Sequence, residues 1–329
     1  MKQFLLISLI LLIPGGILAE NQAAPKDPVP EGFQLIEGDI LVPVDREGKG
    51  IYATNLWPNG VIPYVFDANV TAANQATTLN AMASWEAVAN IDFVPRNSEI
   101  NYVHIQDNTM NNSMIGMVGG MQIINIFNWN LQFVIAHELA HTLGMWHEQS
   151  RPDRDSYVSI EFDRIVDGEE HNFDMHPSED IHGPYDFDSV MHYSQCAFSC
   201  CNVTVDPCCS APCSCDSDLA NCRTITVLPP HAAEWQDAIG QTDHLSKIDK
   251  ATAGFMYPRP EWVFVDCEAE GVIENGTPDY PYQSLQDGID AVSAGEILKI
   301  QPCIYDDTGV FDKAMTWDAP IGGVVIGGY

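Results

Sequence analysis

Residues 137–148 read His-Glu-Leu-Ala-His-Thr-Leu-Gly-Met-Trp-His-Glu, and this stretch decides the interpretation of the whole chain. His137 and His141 are four residues apart, so on a helix they lie on one face and can bind one metal ion together. Gly144 readily takes the left-handed backbone that ends a helix sharply, which lets His147 approach the same ion. Three imidazoles with one open position are typical of a catalytic zinc site holding one Zn²⁺.

Glu138 lies between the first two histidines, where its carboxylate can reach a zinc-bound water and act as a general base. The bare H-E-x-x-H pattern occurs by chance in roughly one chain in a hundred of this size, and Gly144 with His147 lowers that by roughly several hundred-fold. The competing interpretation, a helix with ordinary surface histidines, is much weaker. The sequence therefore predicts a zinc hydrolase.

The charge balance of the 329 residues excludes some partners. The 14 basic and 46 acidic residues give a net charge of −32. Nucleic acids and anionic membrane surfaces attract basic patches, so we expect neither as a partner. Self-repulsion that keeps a secreted protein dispersed explains this charge more simply than an acidic functional patch does.

Residues 1–19 have the pattern of a signal peptide. Lys2 provides the positive charge, Phe4–Ile13 the apolar run, and Ala19 a small residue at the predicted cleavage point. No later run approaches the roughly 20 apolar residues of a membrane span. We expect a secreted protein whose ten cysteines form disulfides.

The chain after the signal peptide alternates between strand and helix patterns. Residues 20–47 are rich in Pro, Asp and Glu and are typical of a linker or pro-segment. Residues 71–89 carry Leu79, Met82, Trp85 and Val88 at helical spacing, so we expect those four side chains in the core. The predicted strands are Gly60–Phe66, Ile91–Val94, Tyr102–Ile105 and Met117–Ile126, and the metal-binding helix runs from about Leu131 to Leu143. This order predicts an α+β fold.

Two motifs resemble those of one family. The run H-E-L-A-H-T-L-G-M-W-H-E-Q-S-R-P-D-R-D over 137–155 and the run S-V-M-H-Y over 189–193 resemble the astacin family of zinc endopeptidases, within the metzincins. The resemblance covers roughly residues 33–257. It implies a two-subdomain metzincin fold with a twisted mixed sheet and an active-site helix, and protein or peptide substrates.

The resemblance also implies roles for individual residues. Met191 would form a hydrophobic floor under the metal. Tyr193 would be an additional zinc ligand that moves toward the substrate oxyanion during hydrolysis. Glu148 would meet the new amino terminus of the mature enzyme. Gly120–Ile126 resembles the edge strand along which an extended peptide substrate binds.

The same comparison gives the pro-segment a role as the inhibitor of a zymogen. Glu37-Gly38-Asp39 resembles the family's pro-peptide motif, in which an aspartate binds the zinc and blocks the water position, so Asp39 is a metal ligand in the latent form. The mature chain would begin near residues 47–51. Arg46 and Lys49 are candidate cleavage points, and an activating protease is a candidate partner.

The remaining histidines and cysteines receive simpler interpretations. We expect His192 to pack beside the site and His171, His176 and His182 to lie on the surface. A predicted disulfide-rich insertion spans 196–222 and contains Cys196, Cys200, Cys201, Cys208, Cys209, Cys213, Cys215 and Cys222. Eight thiols allow 105 pairings. A second zinc site is the alternative, although export favours oxidation.

The last segment changes character. Residues 276–295 resemble the capping helix and first turn of a right-handed parallel β-helix, and Cys267 can pair with Cys303. Because one or two coils cannot bury a solenoid core, we expect the β-helix to continue beyond Tyr329. The predicted domains are the signal peptide 1–19, the pro-segment 20–47, the catalytic domain 48–257 and the start of the β-helix 258–329.

Two other functions are compatible with parts of the sequence. The first is a non-catalytic secreted protein that binds carbohydrate or a surface through the C-terminal segment, with an inert zinc domain. The complete set His137, Glu138, His141, His147 and Tyr193 disfavours it. The second, a β-helix polysaccharide lyase, has no visible catalytic residues. The sequence identifies neither the natural substrate nor the oligomeric state.

Overall fold

A computed structural model describes residues 29–44, 55–176, 181–202, 219–269, 274–307 and 313–327. The predicted signal peptide at 1–19, the mature start near 47–51 and the cysteines at 208, 209, 213 and 215 lie outside these residues. Among the helices described, none is long and apolar enough to cross a membrane.

Strands and helices alternate through the catalytic part, which confirms the α+β prediction. The strands are β1 (Phe33–Ile36), β2 (Ile40–Pro43), β3 (Val61–Phe66), β4 (Asp92–Pro95), β5 (Tyr102–Asp107), β6 (Asn112–Met114), β7 (Met121–Ile126), β8 (Val158–Ile160), β9 (Ile225–Val227), β10 (Trp262–Val265), β11 (Ile297–Ile300), β12 (Ile304–Tyr305), β13 (Thr316–Asp318) and β14 (Val325–Ile326). The helices are α1 (Ala72–Glu86), α2 (Gln132–Leu143), α3 (Leu219–Cys222), α4 (Ala232–Trp235), α5 (Lys247–Met256) and α6 (Leu285–Ala291).

One mixed sheet organises the N-terminal half, with the strand order β1-β2-β6-β7-β5-β3-β4. The pairs β7–β5, β5–β3 and β3–β4 are parallel, and β6 runs antiparallel to β7. The strand β6 therefore lies between the central sheet and the predicted pro-segment.

The described part of the predicted pro-segment, residues 29–44, contains two strands. Strands β1 and β2 form an antiparallel hairpin, and β2 pairs with β6 in parallel, Ile40 opposite Ser113 and Leu41 opposite Met114. Ile40 and Leu41 are fully buried. The hairpin is therefore an integral part of the sheet in this form of the chain.

The predicted edge strand Gly120–Ile126 is wrong. The strand β7 has a hydrogen-bonded neighbour on each side, β5 and β6, so no edge is free. The strand next to β7 on one side is β6, and the other edge of β6 is paired with β2.

The core of the N-terminal half lies between this sheet and helices α1 and α2. Trp85 is fully buried, and its Nε1 donates to the Ala136 carbonyl of α2 at 3.0 Å. Met82 is buried and Val88 packs against the same cluster, as predicted, but Leu79 is 45% exposed. Successive residues on a helix are separated by 100°. The buried stripe therefore runs through Thr78 and Ala81, and Leu79 falls outside it.

A second core supports the residues that follow α2. It contains Val158, Ile165, Phe173, Tyr185, Phe187, Ile225, Val227 and Ile239. Strands β8 and β9 pair antiparallel, and the disulfide Cys201–Cys222 lies nearby. Cys196 and Cys200 are also disulfide-bonded. These four cysteines favour the disulfide interpretation over a second zinc site.

The C-terminal segment has its own small core and parallel strands. Strands β10, β11 and β13 form one parallel ladder, and β12 and β14 form another. Helix α6 covers one end of the core through Leu285 and Ile289, which are both buried. The predicted disulfide Cys267–Cys303 is present.

Candidate metal centre

Helix α2 and the turn after it bring the three histidines to one point. The Nε2 atoms of His137 and His141 are 3.1 Å apart, as expected for positions i and i+4. Gly144 ends the helix with φ 110°, and its N–H donates to the carbonyls of Ala140 and His141. After this turn the Nε2 of His147 lies 3.3 Å from that of His137.

Each imidazole is oriented by a hydrogen bond behind it. The Nδ1 of His137 donates to the Val190 carbonyl at 2.7 Å, and the Nδ1 of His141 donates to the Met145 carbonyl at 2.8 Å. A carbonyl can only accept, so the proton of each ring is on Nδ1 and Nε2 offers a lone pair. His147 has a carboxylate in the same position, Glu37 Oε2, at 3.0 Å from its Nδ1.

Asp39 of the pro-segment completes the cluster. Its Oδ2 is 3.2 Å from His137 Nε2, and its Oδ1 is 3.4 Å from His141 Nε2 and 3.2 Å from His147 Nε2. The strand pairing brings it there, since the Asp39 carbonyl accepts from the Ser113 N–H at 2.9 Å. Among the described residues, these four side chains form the group that can hold a metal ion.

The donor set fits zinc. Four ligand atoms 2.0–2.1 Å from a tetrahedral zinc are about 3.3–3.4 Å from one another. Here the donor atoms are the three histidine Nε2 atoms and Asp39 Oδ1, and four of the distances between them are 3.1–3.4 Å. Asp39 Oδ1 is buried and has no hydrogen-bond partner. Lone pairs from four side chains that converge at such distances repel one another unless a cation lies between them.

Glu138 lies beside this cluster with an oxygen available for chemistry. The residue is 1% exposed, and its Oε2 is buried with no hydrogen-bond partner. Burial, and then the negative charge of Asp39, raise the pKa of Glu138 well above its usual value. The carboxyl group can therefore hold and release a proton at the cluster.

Aromatic rings enclose the turn that delivers Asp39. The Tyr193 ring is 4.6 Å from the His147 ring, and its hydroxyl donates to the Glu37 carbonyl. Burial, with the charges of Asp39 and Glu37, raises the pKa of Tyr193 well above 10, so the hydroxyl remains a donor. The Phe198 ring packs on Gly38, where an added Cβ would lie 2.5 Å from Phe198 Cζ.

Glu148 already has partners in this form of the chain. Its Oε1 accepts from the Asp186 N–H at 2.7 Å and from Arg151 Nη1 at 3.1 Å. Burial raises the pKa of Glu148 to about 8, although the Arg151 guanidinium opposes this shift. The group is therefore an incompletely compensated, partly buried acid. Its predicted contact with a new amino terminus stays a prediction.

Met191 is buried in the main core, and a neighbouring acid fixes the turn that contains it. Asp249 accepts from Ser189 Oγ at 2.6 Å, from the Val190 N–H at 3.0 Å and from the Ser246 N–H at 2.9 Å. Because Val190 also orients His137, Asp249 supports the metal site indirectly.

His171, His176, His182 and His192 lie outside the cluster, and two of the three predicted surface histidines are not exposed. His192 is buried, and its Nε2 is hydrogen-bonded to the Tyr185 hydroxyl at 2.8 Å. His171 is exposed, as predicted. His176 is buried against Trp146, with ring centroids 3.8 Å apart, and His182 stacks on Phe255 at 4.3 Å. Those two predictions are wrong because aromatic neighbours distant in sequence cover the rings.

Sequence reasoning assigned no contact to Glu37 and no role to Asn172 or Asp249. Glu37 and His147 are 110 residues apart in sequence. Asn172 and Gly38 are 134 residues apart, and Asn172 Oδ1 accepts from the Gly38 N–H at 2.9 Å. The one local signal was the position of Glu37 directly before Gly38-Asp39. A capping box at the start of α5 was a readable signal for Asp249.

Comparisons with known proteins show which family the chain resembles. The family model for Astacin, a family of peptidases, matches residues 50–211. Low choriolytic enzyme of Oryzias latipes is 33% identical over 234 residues, which are 68% of this chain and 78% of that protein. Meprin A subunit beta of Rattus norvegicus is 38% identical over 172 residues, and the match spans 51% of this chain but only 24% of that protein.

One solved structure is similar in both fold and sequence. It is high choriolytic enzyme 1, a hatching enzyme zinc-protease from Oryzias latipes. The TM-score is 0.51 at 31% identity, and the match covers 61% of this chain and 92% of that chain.

Proposed function

Because this chain belongs to the astacin family of zinc endopeptidases, we propose that it hydrolyses peptide bonds with Glu138 and Tyr193 beside the three histidines. The observation that carries this proposal is the convergence of the His137, His141 and His147 Nε2 atoms, at distances that fit zinc. Zinc, when bound there, supplies positive charge that acidifies water and polarises a carbonyl group. The complete residue set argues against an inert binding protein.

The two proposed catalytic residues handle protons and charge. Glu138 takes a proton from the attacking water and later gives it to the leaving amine. Its buried, unpartnered Oε2 supports this role. Once the pro-segment has left, the Tyr193 hydroxyl would be free to donate to the oxyanion of the substrate. When zinc is bound, Tyr193 would be an additional ligand beside the three histidines. Its position against His147 supports this role.

The test is Glu138→Gln in the activated protein, with zinc content and cleavage of a quenched fluorogenic peptide as readouts. We expect one zinc per chain and a loss of about 10²- to 10⁴-fold in kcat. Glu99→Gln, at an exposed glutamate far from the cluster, is the matched control and should cleave normally. Phenanthroline should abolish cleavage, and added zinc should restore it. Full activity of Glu138→Gln would refute the assignment.

Residues 20–47 are proposed to act as an inhibitory pro-segment. Asp39 occupies the fourth ligand position, and β2 covers the edge of β6 on which we expect a peptide substrate to pair. The intact Asp39→Ala precursor should therefore gain activity, but less than the processed enzyme, because β2 still covers β6. Glu31→Ala, an exposed position in the same segment, should stay inactive. An unchanged Asp39→Ala precursor would contradict the proposal.

Activation and export complete the proposal. An activating protease cleaves near Arg46 or Lys49, and Glu148 then receives the new amino terminus. The partly buried position of Glu148 supports this step. The disulfides Cys201–Cys222 and Cys267–Cys303 support an oxidising destination outside the cell. Amino-terminal sequencing of the mature protein, together with its recovery from culture medium, tests both points.

The C-terminal segment is proposed to begin a right-handed parallel β-helix. Two parallel ladders, with helix α6 over one end of the core, support this interpretation. A crystal structure of this chain in which β10, β11 and β13 do not pair in parallel would contradict it.

A further inference from the structure

The three histidines differ in where their hydrogen-bond partners come from. His137 and His141 donate to the carbonyls of Val190 and Met145, which remain with the catalytic domain after activation. His147 donates to Glu37, a carboxylate that belongs to the segment proposed to be removed. The orientation of one metal ligand is therefore shared with the pro-segment.

The contact between Glu37 and His147 is fixed on both sides. Glu37 is 4% exposed and His147 is 1% exposed, so water does not compete for the hydrogen bond. The Glu37 carbonyl accepts from the Tyr193 hydroxyl, and the next N–H, that of Gly38, donates to Asn172. These contacts set the direction in which the Glu37 side chain leaves the backbone.

The backbone of Glu37 is held in an unfavourable conformation. Its φ is 45°, a left-handed value that is unfavourable for a residue other than glycine. Glycine would relieve that cost at this position but would supply no carboxylate. The presence of glutamate in such a turn points to a role for its side chain.

We propose that the pro-segment also stabilises the metal in the precursor, with Glu37 acting through His147 as a positioning residue. A carboxylate behind a metal-bound imidazole fixes its tautomer and raises its basicity, and loss of such a partner weakens metal affinity about 10- to 100-fold. This inference rests on the proposed function of the three histidines and Asp39 as a zinc site. The precursor is then the form that acquires and retains zinc best.

The rate of zinc release from intact precursors to excess chelator tests this inference without any measurement of activity. Glu37→Ala should release zinc about 10- to 100-fold faster than the unsubstituted precursor. Glu37→Gln keeps an acceptor oxygen but loses the charge. A neutral hydrogen bond has about half the strength, so the expected increase is about 3- to 10-fold. Glu31→Ala, exposed in the same segment, is the control and should match the unsubstituted precursor.

A second pair of variants separates Glu37 from Asp39. If Glu37 acted only by holding Asp39 in place, Glu37→Gln would have no effect in the Asp39→Ala background. We expect the roughly 3- to 10-fold increase to persist there, because the contact with His147 is direct. Loss of the increase in that background, or zinc release from Glu37→Ala at the unsubstituted rate, would overturn the inference.

These outcomes are distinct from failure of the proposed function. A precursor that does not bind about one zinc ion per chain would refute the zinc site itself. Zinc bound normally and released at equal rates from the Glu37 variants would refute only the role of Glu37. Melting temperatures of all precursors identify any variant that is unfolded, and Glu37→Gln, which keeps the side-chain shape, then decides the matter.

Discussion

The substitution Gly38→Ala should weaken the inhibitory contact of the pro-segment. Gly38 has φ 75°, and an added Cβ would lie 2.5 Å from Phe198 Cζ and 3.2 Å from the Tyr193 hydroxyl oxygen. The left-handed backbone costs alanine about 1–2 kcal/mol. The collision adds about 1–3 kcal/mol, because the ring must shift between its neighbours. Together these two costs shift the equilibrium of the precursor by roughly 30-fold to several thousand-fold toward the form in which the pro-segment has left the histidines.

The chain offers a matched control for the backbone part of this cost. Gly32 has φ 84°, and no atom lies within 4 Å of an added Cβ. Gly32→Ala therefore carries the backbone cost without the collision, and it lies outside the turn that delivers Asp39. The difference between the two variants should be roughly 5- to 100-fold.

The assay is cleavage of a quenched fluorogenic peptide by precursors that cannot be processed. Replacement of Arg46 and Lys49 by alanine blocks the proposed cleavage points, and intact mass confirms that each chain is whole. Gly38→Ala should be more active than Gly32→Ala. Phe198→Ala, added to Gly38→Ala, should remove the collision part of the effect. Equal activities of Gly38→Ala and Gly32→Ala would refute the reasoning, because the Phe198 contact would then contribute nothing.

Three further predictions concern the catalytic part. Tyr193→Phe should lower the kcat of the processed enzyme about 10²- to 10³-fold with little change in KM. An unchanged kcat would exclude the Tyr193 hydroxyl as a donor to the oxyanion. Burial raises the pKa of Asp186 from 3.8 to about 6, an effect that the Ser246 hydroxyl reduces and the Asp249 charge increases. The folded state then binds the proton more tightly, so stability falls as pH rises from 3.8 through about 6. Asp186→Asn should raise the free energy of unfolding in urea by up to about 3 kcal/mol at pH 8 and by less at pH 5. An increase that is the same at both pH values would contradict this expectation. Asp249→Ala leaves three hydrogen-bond donors near Met191 without an acceptor. It should lower the free energy of unfolding by at least about 3 kcal/mol, measured from the denaturant midpoint. A decrease of less than about 1 kcal/mol would contradict the role of Asp249.

The metal-binding helix could be predicted because its geometry is local. His137 and His141 are related by the helix repeat, and the Gly144 turn needs only the conformational freedom of glycine. Propensity and spacing within about ten residues therefore fix the relative positions of the three imidazoles.

The edge strand could not be predicted because polar side chains in the sheet interior resemble exposed ones. The run Gly120–Ile126 is assigned to a sheet edge by resemblance, and Gln122 and Asn125 within it give no sign of burial in the sequence. In the structure both are buried, with Gln122 Nε2 donating to the Gly116 carbonyl at 2.8 Å and Asn125 Nδ2 donating to Asn112 Oδ1 at 2.7 Å. A side-chain network satisfies these groups, and a sequence pattern does not distinguish such a network from solvent.

The inhibitory contact depends on the same kind of distant pairing. Asp39 meets His137 across 98 residues, and it does so because β2 pairs with β6. Strands of four residues carry too little alternation to be predicted alone. The burial of Ile40 also depends on Ile115, which is distant in sequence and packs in the same cluster. A segment that kept Gly38-Asp39 but lost the hairpin would have the same motif and no means of reaching the zinc ligands. In the proposed latent form, the motif supplies the carboxylate, and the pairing of β2 with β6 brings that carboxylate to the three histidines.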